Sequence, residues 1–518
     1  MKKIFFALLL IALVLSLWAP PSLSSAREAL IKLGNEVLFE DHYHLIEGKK
    51  VGLITNQSGV NSRGVSTIEM LESDPHVDLV ALYGPEHGID GKAAAGEYVE
   101  SYTHPELQIP VYSLYGPTRM PTAAMLQDVD VLLYDIQDIG ARSYTYISTL
   151  HYCMQAGEKN NTPLVVLDRP NPLGGLTVDG PMMEERFRTF VGVDILPKAH
   201  GMTVGELSLY FNRAIGADLT VVPMEDYKRS MIYQDTGLPW IETSPNIPDL
   251  DSVFGYMATG LGEGTGVRQS DKFTWIGGEG LEADTFARAL NETRLPGVIF
   301  IPETKGARGG ARLQITNHYT FNPARTGIYA LATAFALGDF QVPKSGERQE
   351  DIVMFDKIMG SELIGNCLEQ ELTPQQIESK YAPALEQFKK EREKYLLSRY
   401  EPRLDVVVDG RFITFDSPPY INAQDRLMVP LRAIAEAMGG EAHWEHDLRR
   451  AIILKEGSEL IFPIGDKVVL VNGEERTMDT EAVIVKDRTM IPLRFAGEFL
   501  GAEVNWNHYT RTAFIESR

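Results

Sequence analysis

The chain has 518 residues, a formal net charge of −22 at pH 7 and two cysteines. This acidic balance argues against proteins that bind nucleic acid or anionic lipid through charge attraction. Cys153 and Cys367 lie far apart, which does not make a disulfide framework, so we expect buried free thiols. The length predicts about two to four domains, each able to bury a core of its own.

The first 26 residues have the pattern of a bacterial secretory signal. Lys2 and Lys3 precede an apolar run from Ile4 to Trp18, and small residues end at Ala26. We expect cleavage after Ala26 and a secreted or cell-wall-associated protein. An uncleaved anchor is the alternative, although the run is shorter than the roughly 20 apolar residues that a spanning helix needs.

Strands and helices alternate over residues 27–195, the predicted first domain. Short apolar runs closed by Gly or Pro are typical of buried parallel strands, and helical stretches lie between several of them. The expected fold is α/β: a Rossmann-like, doubly wound, mostly parallel sheet. The predicted strands are Lys50–Asn56, the run from Val77 to Gly84, Ile109–Leu114, Val129–Ile136 and Pro163–Leu167.

Polar side chains follow four of these strands. Ligands of open α/β sheets bind beyond the carboxyl ends of the strands, so these side chains should share one crevice. Other roles are open: Glu86 capping a helix, Asp168 pairing locally with Arg169, Asp138 pairing with Arg142, and Tyr83 and Tyr144 lying in the core. The candidates beyond the strand ends are Asn56, Glu86 with His87, Asp135 with Gln137 and Asp138, and Asp168 with Arg169 and Asn171.

Residues 196–400 form the predicted second domain, a smaller α/β or α+β unit. Thr203 and Glu206 have the spacing of a capping box at the start of a helix. The stretch Thr259–Gly278 reads as a long loop, and such loops are often functional. Within it Glu263 stands between two glycines, which permit close approach of a ligand, and a solvated acid is the other interpretation. A charged helix, Thr373–Arg399, is expected to close the domain.

Residues 401–518 contain an internal duplication. Asp425–Ile453 and Asp487–Phe514 share one pattern at a spacing of 62 residues, with Trp444 and Trp506 at equivalent positions. This predicts an α+β two-repeat module. We expect both tryptophans to lie in its core.

Long motifs in residues 30–399 resemble the exo-β-N-acetylmuramidases of bacterial cell-wall recycling. The resemblance implies a Rossmann-like domain without a nucleotide, a second domain, and an active site between them. It also implies removal of terminal N-acetylmuramic acid from the non-reducing end of peptidoglycan fragments. The motifs are ITNQSG (54–59), GPEHG (84–88), YDIQDIGARSYTYI (134–147), LDRPNPLGG (167–175), HGMTVGEL (200–207), SPNIP (244–248) and KKEREKYLL (389–397).

Two further features qualify this resemblance. After Glu263, the stretch Gly266–Asp271 departs from the family's usual Ser-Glu-Gly-Arg-Gly run, so sugar specificity is open. Residues 403–517 resemble the stalk-like amino-terminal module of copper amine oxidases, for which we expect a spacer or wall-associating role. No P-loop, no G-x-G-x-x-G after a strand and no Cys/His cluster occurs in the sequence, so we expect no nucleotide, cofactor or metal.

A glycosidase needs an acid and a second group that serves as base or nucleophile. Glu86 is the expected acid, oriented by His87, and Glu263 or Asp135 is the expected partner, unless the acetamido group of the substrate replaces it. Arg142, Arg169 or Arg268 would bind the lactyl carboxylate. Asn56, Gln137 and Asn171 would bind hydroxyls and the acetamido group, Asp168 would also contact the substrate, and Tyr83 and Tyr144 would flank the ring. A secreted muropeptide-binding protein without catalysis is the rival interpretation.

Overall fold

A computed structural model describes residues 29–517. The predicted signal segment, residues 1–26, lies outside them. Both cysteines are free and buried, as expected. Within residues 29–517, no helix is long and apolar enough to cross a membrane.

The first domain is built on a seven-stranded sheet with the order β3-β4-β2-β1-β5-β6-β7. All neighbours are parallel except the short edge pair β3 and β4. The strands are β1 (Lys50–Thr55), β2 (Asp78–Gly84), β3 (Tyr102–Thr103), β4 (Pro110–Ser113), β5 (Val131–Asp135), β6 (Leu164–Leu167) and β7 (Leu219–Val222). Since the chain runs outward from β1 in both directions, the topological switch point lies at the carboxyl end of β1.

Five helices accompany this sheet: α1 (Gly34–Asp41), α2 (Thr67–Glu72), α3 (Ala123–Leu126), α4 (Tyr146–Asn160) and α5 (Val204–Ile215). Thr203 caps α5 and forms the predicted capping box with Glu206. Strand β7 pairs with β6, so the first sheet extends beyond the domain boundary predicted at residue 195.

The second domain packs helices on an antiparallel four-stranded sheet of order β10-β11-β9-β8. Its strands are β8 (Arg268–Ser270), β9 (Trp275–Glu279), β10 (Val298–Pro302) and β11 (Arg308–Ile315). The helices are α6 (Leu250–Thr259), α7 (Ala283–Glu292), α8 (Pro323–Leu337), α9 (Met354–Met359), α10 (Leu363–Glu369) and α11 (Pro374–Arg392). The prediction of a structureless loop over Thr259–Gly278 is therefore wrong: β8 and most of β9 form a hairpin there. Helix α11 ends at Arg392, before the predicted Arg399.

The carboxyl-terminal module has its own hydrophobic core and three small sheets. Its strands are β12 (Asp405–Val408), β13 (Arg411–Phe412), β14 (Tyr420–Ile421), β15 (Leu427–Pro430), β16 (Glu441–Glu445), β17 (Arg450–Lys455), β18 (Ser458–Pro463), β19 (Val468–Val471), β20 (Glu474–Thr477), β21 (Val483–Val485), β22 (Arg488–Pro492), β23 (Glu503–Asn507) and β24 (Thr512–Glu516). Helices α12 (Leu431–Ala437) and α13 (Leu493–Phe499) occupy equivalent places in the two repeats. The expectation that the tryptophans lie in the core is wrong, because Trp444 and Trp506 are 43% and 38% exposed.

Candidate active site

Glu86 stands just beyond the end of β2. Pro85 has no N–H with which to continue the strand ladder, and His87 and Gly88 then take left-handed backbone angles, with φ of 73° and 77°. The chain therefore turns sharply over the switch-point edge of the sheet. This turn leaves the Glu86 side chain half-buried rather than packed in the core.

Two donors hold the Glu86 carboxylate. Its Oε1 accepts the N–H of Gly96 at 3.0 Å, and its Oε2 accepts the hydroxyl of Thr145 at 2.5 Å. Thr145 is the residue before α4, and Tyr115 lies close enough that burial first, and then the Glu86 charge, raises the pKa of Tyr115. The carboxylate is thus held in one orientation at the carboxyl edge of the sheet.

His87 does not orient Glu86, contrary to the sequence expectation. Its ring is buried, and Nδ1 lies 2.7 Å from the carbonyl oxygen of Ala93. This contact fixes the loop that carries Gly96. The role predicted for His87 therefore belongs to Thr145 and to the Gly96 N–H.

A second carboxylate, Asp138, has an oxygen without a partner. Its Oδ2 accepts the N–H of Gly140 at 2.7 Å and lies 3.7 Å from Nε2 of His200. Oδ1 has no hydrogen-bond partner among residues 29–517, although the side chain is buried. Buried polar atoms are almost always paired, so this oxygen is a candidate for contact with a ligand.

Tyr256, on α6, brings the two carboxylates into one electrostatic environment. Burial first, and then the charges of Glu86 and Asp138, raise the pKa of Tyr256 to about 12. Its hydroxyl lies 3.1 Å from Oγ of Ser143, and its ring meets Tyr144 edge-on at 5.7 Å. Both carboxylates therefore act on the same tyrosine at the junction of the two domains.

A buried amine completes this cluster. Nζ of Lys198 donates to Oγ of Ser143 at 2.6 Å and lies 5.7 Å from the ring centre of Tyr256. Burial, and then the charge of Arg142, lowers the pKa of Lys198 well below its usual value. No carboxylate of residues 29–517 forms an ion pair with this amine, so it can donate to an incoming acidic or hydroxyl oxygen.

Asp135 and Arg169 bind each other. Arg169 Nε donates to Oδ1 of Asp135 at 2.5 Å, while the hydroxyl of Thr67 and the amide of Asn35 donate to Oδ2. Arg169 Nη2 donates to the carbonyl of Val60. Asp135 is fully buried with both oxygens occupied, so the catalytic role predicted for it is wrong. Arg169 is bound to Asp135 but also lines a small cavity beside Gln137, so the ligand role predicted for Arg169 stays a prediction.

Asp168 organises the start of α5. Its two oxygens accept the N–H groups of Arg169 and Gly205 and the hydroxyls of Thr203 and Tyr400. A Cβ on Gly205 would lie 2.7 Å from the Asp168 carboxyl carbon, so only glycine allows this approach. The side chain is fully buried, which rules out the predicted contact with substrate.

Arg142 joins three loops and does not pair with Asp138. Its Nη1 donates to the carbonyls of Pro181 and Leu196 at 2.8 and 2.7 Å, and Nη2 donates to that of Ile358 at 2.9 Å. Burial lowers the pKa of Arg142 to about 9. The guanidinium is fully buried on these carbonyls, so the predicted binding of a lactyl carboxylate is wrong for Arg142.

Three predicted amides divide into two kinds. Asn171 is fully used, since Nδ2 donates to Met202 O and Oδ1 accepts from Leu173 N. Asn56 and Gln137 are buried, and each leaves one atom, Nδ2 and Oε1 respectively, without a partner among the described residues. These two atoms can bind substrate, whereas the role predicted for Asn171 is wrong.

The two predicted tyrosines are structural. Tyr83 is fully buried and donates to the Met125 carbonyl at 2.6 Å, so it does not flank a ligand. Tyr144 is 8% exposed and donates to Oγ1 of Thr243 at 2.9 Å. Tyr144 supports Tyr256, which the sequence did not single out.

Glu263 and Arg268 lie together in a cavity of about 280 Å³ whose walls come from residues 259–269. Both are exposed, and neither side chain has a hydrogen bond or ion pair with another described residue. The end of the divergent stretch has a structural role, because Asp271 pairs with Arg312 and, at 2.7 Å, with Lys305. Arg268 thus remains available to a ligand, and so does Glu263.

The arrangement suits acid–base chemistry on a polar ligand. Within residues 29–517 no group of three or more His, Cys, Asp or Glu side chains could hold a metal. The site instead offers two carboxylates, a tyrosine hydroxyl and a buried amine. Glycosidases use a pair of carboxyl groups, one as acid and one as base or nucleophile.

Comparison with known proteins agrees with this chemistry. Residues 51–251 match the amino-terminal domain profile of the exo-β-N-acetylmuramidase NamZ, and residues 254–397 match its carboxyl-terminal domain profile. The peptidoglycan β-N-acetylmuramidase NamZ of Bacillus subtilis (strain 168) is 40% identical over 390 residues, which cover 72% of this chain and 92% of that protein. The chain belongs to the NamZ family.

Solved structures and a further profile extend the comparison. A DUF1343 family protein from Bacteroides fragilis NCTC 9343 superposes with a TM-score of 0.64 at 37% identity, over 71% of this chain and 99% of that one. A second one from the same strain, at 24% identity and a TM-score of 0.55, covers 72% of this chain and 99% of its own, and shares the fold. Residues 407–515 match the copper amine oxidase N-terminal domain, which this NamZ-family chain carries as its carboxyl-terminal module.

Proposed function

We propose that this NamZ-family glycosidase removes terminal N-acetylmuramic acid from the non-reducing end of peptidoglycan fragments, with Glu86 as the general acid. The observation that carries this assignment is the position of Glu86. It lies at the switch-point edge of the sheet, is held by Thr145 and the Gly96 N–H, and shares Tyr256 with a second carboxylate. A fixed, half-buried carboxyl group can deliver a proton to one glycosidic oxygen.

Asp138 serves as the second carboxylate. Its unpartnered Oδ1 and its proximity to Tyr256 support this role. The oxygens of Asp135 are already bound, and the exposed Glu263 has no side-chain contact with a described residue that would fix its orientation. Asp138 therefore either activates the attacking group or holds the acetamido group of the substrate in place.

The muramic acid is recognised by groups that the fold leaves unpaired. Arg268 is the one of the three predicted arginines whose guanidinium lacks a partner among the described residues, and it binds the lactyl carboxylate. Nδ2 of Asn56 and Oε1 of Gln137 bind hydroxyls or the acetamido group. Each contact would pair an atom that otherwise remains unpaired, which favours binding.

The place of action follows from the amino-terminal pattern. A basic pair, an apolar run and small residues before Arg27 support export with removal of residues 1–26. The exported enzyme acts outside the membrane or at the cell wall, where its peptidoglycan fragments arise.

The experiment measures release of nitrophenol from para-nitrophenyl N-acetylmuraminide, with the N-acetylglucosaminide as specificity control. We expect the wild type to cleave the muraminide alone and Glu86→Gln to lose turnover by about 10²-fold or more. Glu97→Gln is the matched control, since Glu97 is an exposed carboxylate of the same loop that accepts the Ala94 N–H. Binding of a muropeptide without turnover by the wild type would show instead a binding protein.

A further inference from the structure

A cavity of about 870 Å³ lies where the carboxyl-terminal module meets the first domain. The module contributes most of its wall, chiefly from the second repeat. Leu176, in the loop after β6, and Ser230 contribute the wall on the other side. This cavity is distinct from the Glu86 site, whose residues do not line it.

The walls of this junction cavity are held together by specific contacts. The rings of Tyr319 and Tyr509 stack at 4.2 Å with an interplanar angle of 5°. Lys228 Nζ donates to Thr510 O at 2.9 Å and lies 2.9 Å from the carboxylate of Asp405. The module is thus docked on the body, and the cavity is a feature of the whole chain.

Aromatic and apolar surface in the junction cavity faces solvent. Trp506 is 38% exposed, Tyr509 is 39% exposed and Leu176 is 62% exposed. Large apolar groups clustered on an exposed surface mark a binding site. An exposed indole face suits the flat C–H face of a sugar ring. The equivalent Trp444 is also exposed but does not line this cavity.

The charge of the cavity opposes that of the protein. The chain carries −22 overall, yet Arg426, Arg494 and Arg511 line the cavity against Asp425. Arg426 is paired with Asp479, and Arg494 has only a loose contact of 3.9 Å with Glu498. The guanidinium of Arg511 has no hydrogen bond or ion pair with any described residue, although its backbone carbonyl accepts the N–H of Asp405 at 3.2 Å. An unpaired guanidinium binds carboxylate or phosphate in a two-pronged geometry.

We infer that the junction cavity binds a peptidoglycan glycan strand, with a sugar ring on Trp506 and a carboxylate of that strand on Arg511. The choice of this polymer rests on the proposed function, since a muramyl glycan offers ring faces and lactyl carboxylates together. A second binding site for the polymer raises the effective concentration of strand ends at the Glu86 site. A phosphate-bearing wall polymer has the charge but is a different ligand, and the test separates the two.

The test is co-sedimentation of the full chain with insoluble peptidoglycan sacculi from which phosphate-bearing polymers have been stripped. We expect Trp506→Ala and Arg511→Gln to weaken sedimentation about tenfold or more. The matched controls are Trp444→Ala and Arg449→Gln, 62 residues earlier in the first repeat, which should stay within about twofold of wild type. Thermal melting of each variant checks that it is folded.

Three results would overturn the inference: equal sedimentation of all four variants, wild-type binding only to unstripped sacculi, and no wild-type binding at all. Binding to chitin as strong as to sacculi, unaffected by Arg511→Gln, would remove the role of the carboxylate. The nitrophenyl muraminide assay keeps this inference separate from the proposed function. All four variants should keep wild-type turnover of that small substrate, and Glu86→Gln should sediment as the wild type does.

Discussion

The hydroxyl of Thr145 donates to Oε2 of Glu86 at 2.5 Å across the domain, from the residue before α4 to the loop after β2. This contact fixes one oxygen of the proposed acid, and the other oxygen accepts a hydrogen bond from the Gly96 N–H. The orientation of Glu86 therefore depends on the register between a helix terminus and a loop.

Thr145→Val should lower kcat by about tenfold with little change in KM, because it removes a hydrogen bond to the proposed acid and keeps the volume of the side chain. Steady-state kinetics on the nitrophenyl muraminide measure this. Thr149→Val, one turn along the same helix, is the control and should leave kcat close to wild type. In a Glu86→Gln background the Thr145 change should have no further effect, and an additive loss would contradict a role through Glu86.

Asp138→Asn should reduce kcat by about 10²-fold while the melting temperature changes little, since Oδ1 of Asp138 has no partner to lose. Asp135→Asn, three residues earlier, should lower the melting temperature and leave kcat nearly unchanged. Its buried oxygens bind Arg169 and Thr67, so stability should fall while the folded fraction keeps its turnover. Kinetics and melting of both variants decide between Asp138 and Asp135, and equal kcat losses would count against the assignment of Asp138.

Arg169→Met should destabilise the first domain by about 3–5 kcal/mol, because it leaves the Asp135 carboxylate buried with an unbalanced charge. Urea unfolding followed by tryptophan fluorescence gives the free energy. Arg348→Gln removes an exposed ion pair with Asp351 and should cost no more than about 1 kcal/mol. A similar cost for both variants would mean that the buried pair is not structurally important.

The pH dependence of stability should carry a signature of Asp168. Burial, and then the charge of Glu206, raises the pKa of Asp168 to about 7 in the folded chain, against about 3.9 when unfolded. Between these values the folded state holds a proton that the unfolded state has lost. The contribution of Asp168 to stability is therefore complete below pH about 4 and declines as the pH rises towards about 7.

Asp168→Asn should remove this decline. Plotted against pH between about 5 and 7, the unfolding free energy of the variant should fall less, or rise more, than that of the wild type. Asp447→Asn, at an exposed position of the carboxyl-terminal module, is the control and should leave the slope as it is. Parallel curves for wild type and Asp168→Asn would show that Asp168 does not titrate in this range.

The sheet and its functional edge could be predicted because both depend on local pattern. Apolar runs closed by Gly or Pro indicate buried strands, and parallel strands necessarily bring their ends to one edge. The position of Glu86 just beyond β2 could be predicted in this way. The partners of polar side chains could not, because they depend on distances in the fold: Asp135 is bound by Arg169, whereas Asp138 keeps a free oxygen.

Other errors have equally physical causes. The hairpin of β8 and β9 was missed because Asp271, Lys272 and Phe273 turn with positive φ, which a glycine-free sequence seldom signals. Trp444 and Trp506 were expected in the core because they recur in both repeats. Recurrence does not tell which face of a strand points to solvent, and polar neighbours flank both residues.

The docking of the carboxyl-terminal module has a consequence for the connecting chain. Residues 401–403 are exposed, while Tyr400 before them is buried on the body and Val407 after them joins the same apolar cluster. The buried Lys228 and the stacked Tyr319 and Tyr509 hold the two parts independently of this link. A protease that cleaves the exposed link would therefore cut the chain without separating its two parts. The two fragments would stay associated as one particle in solution.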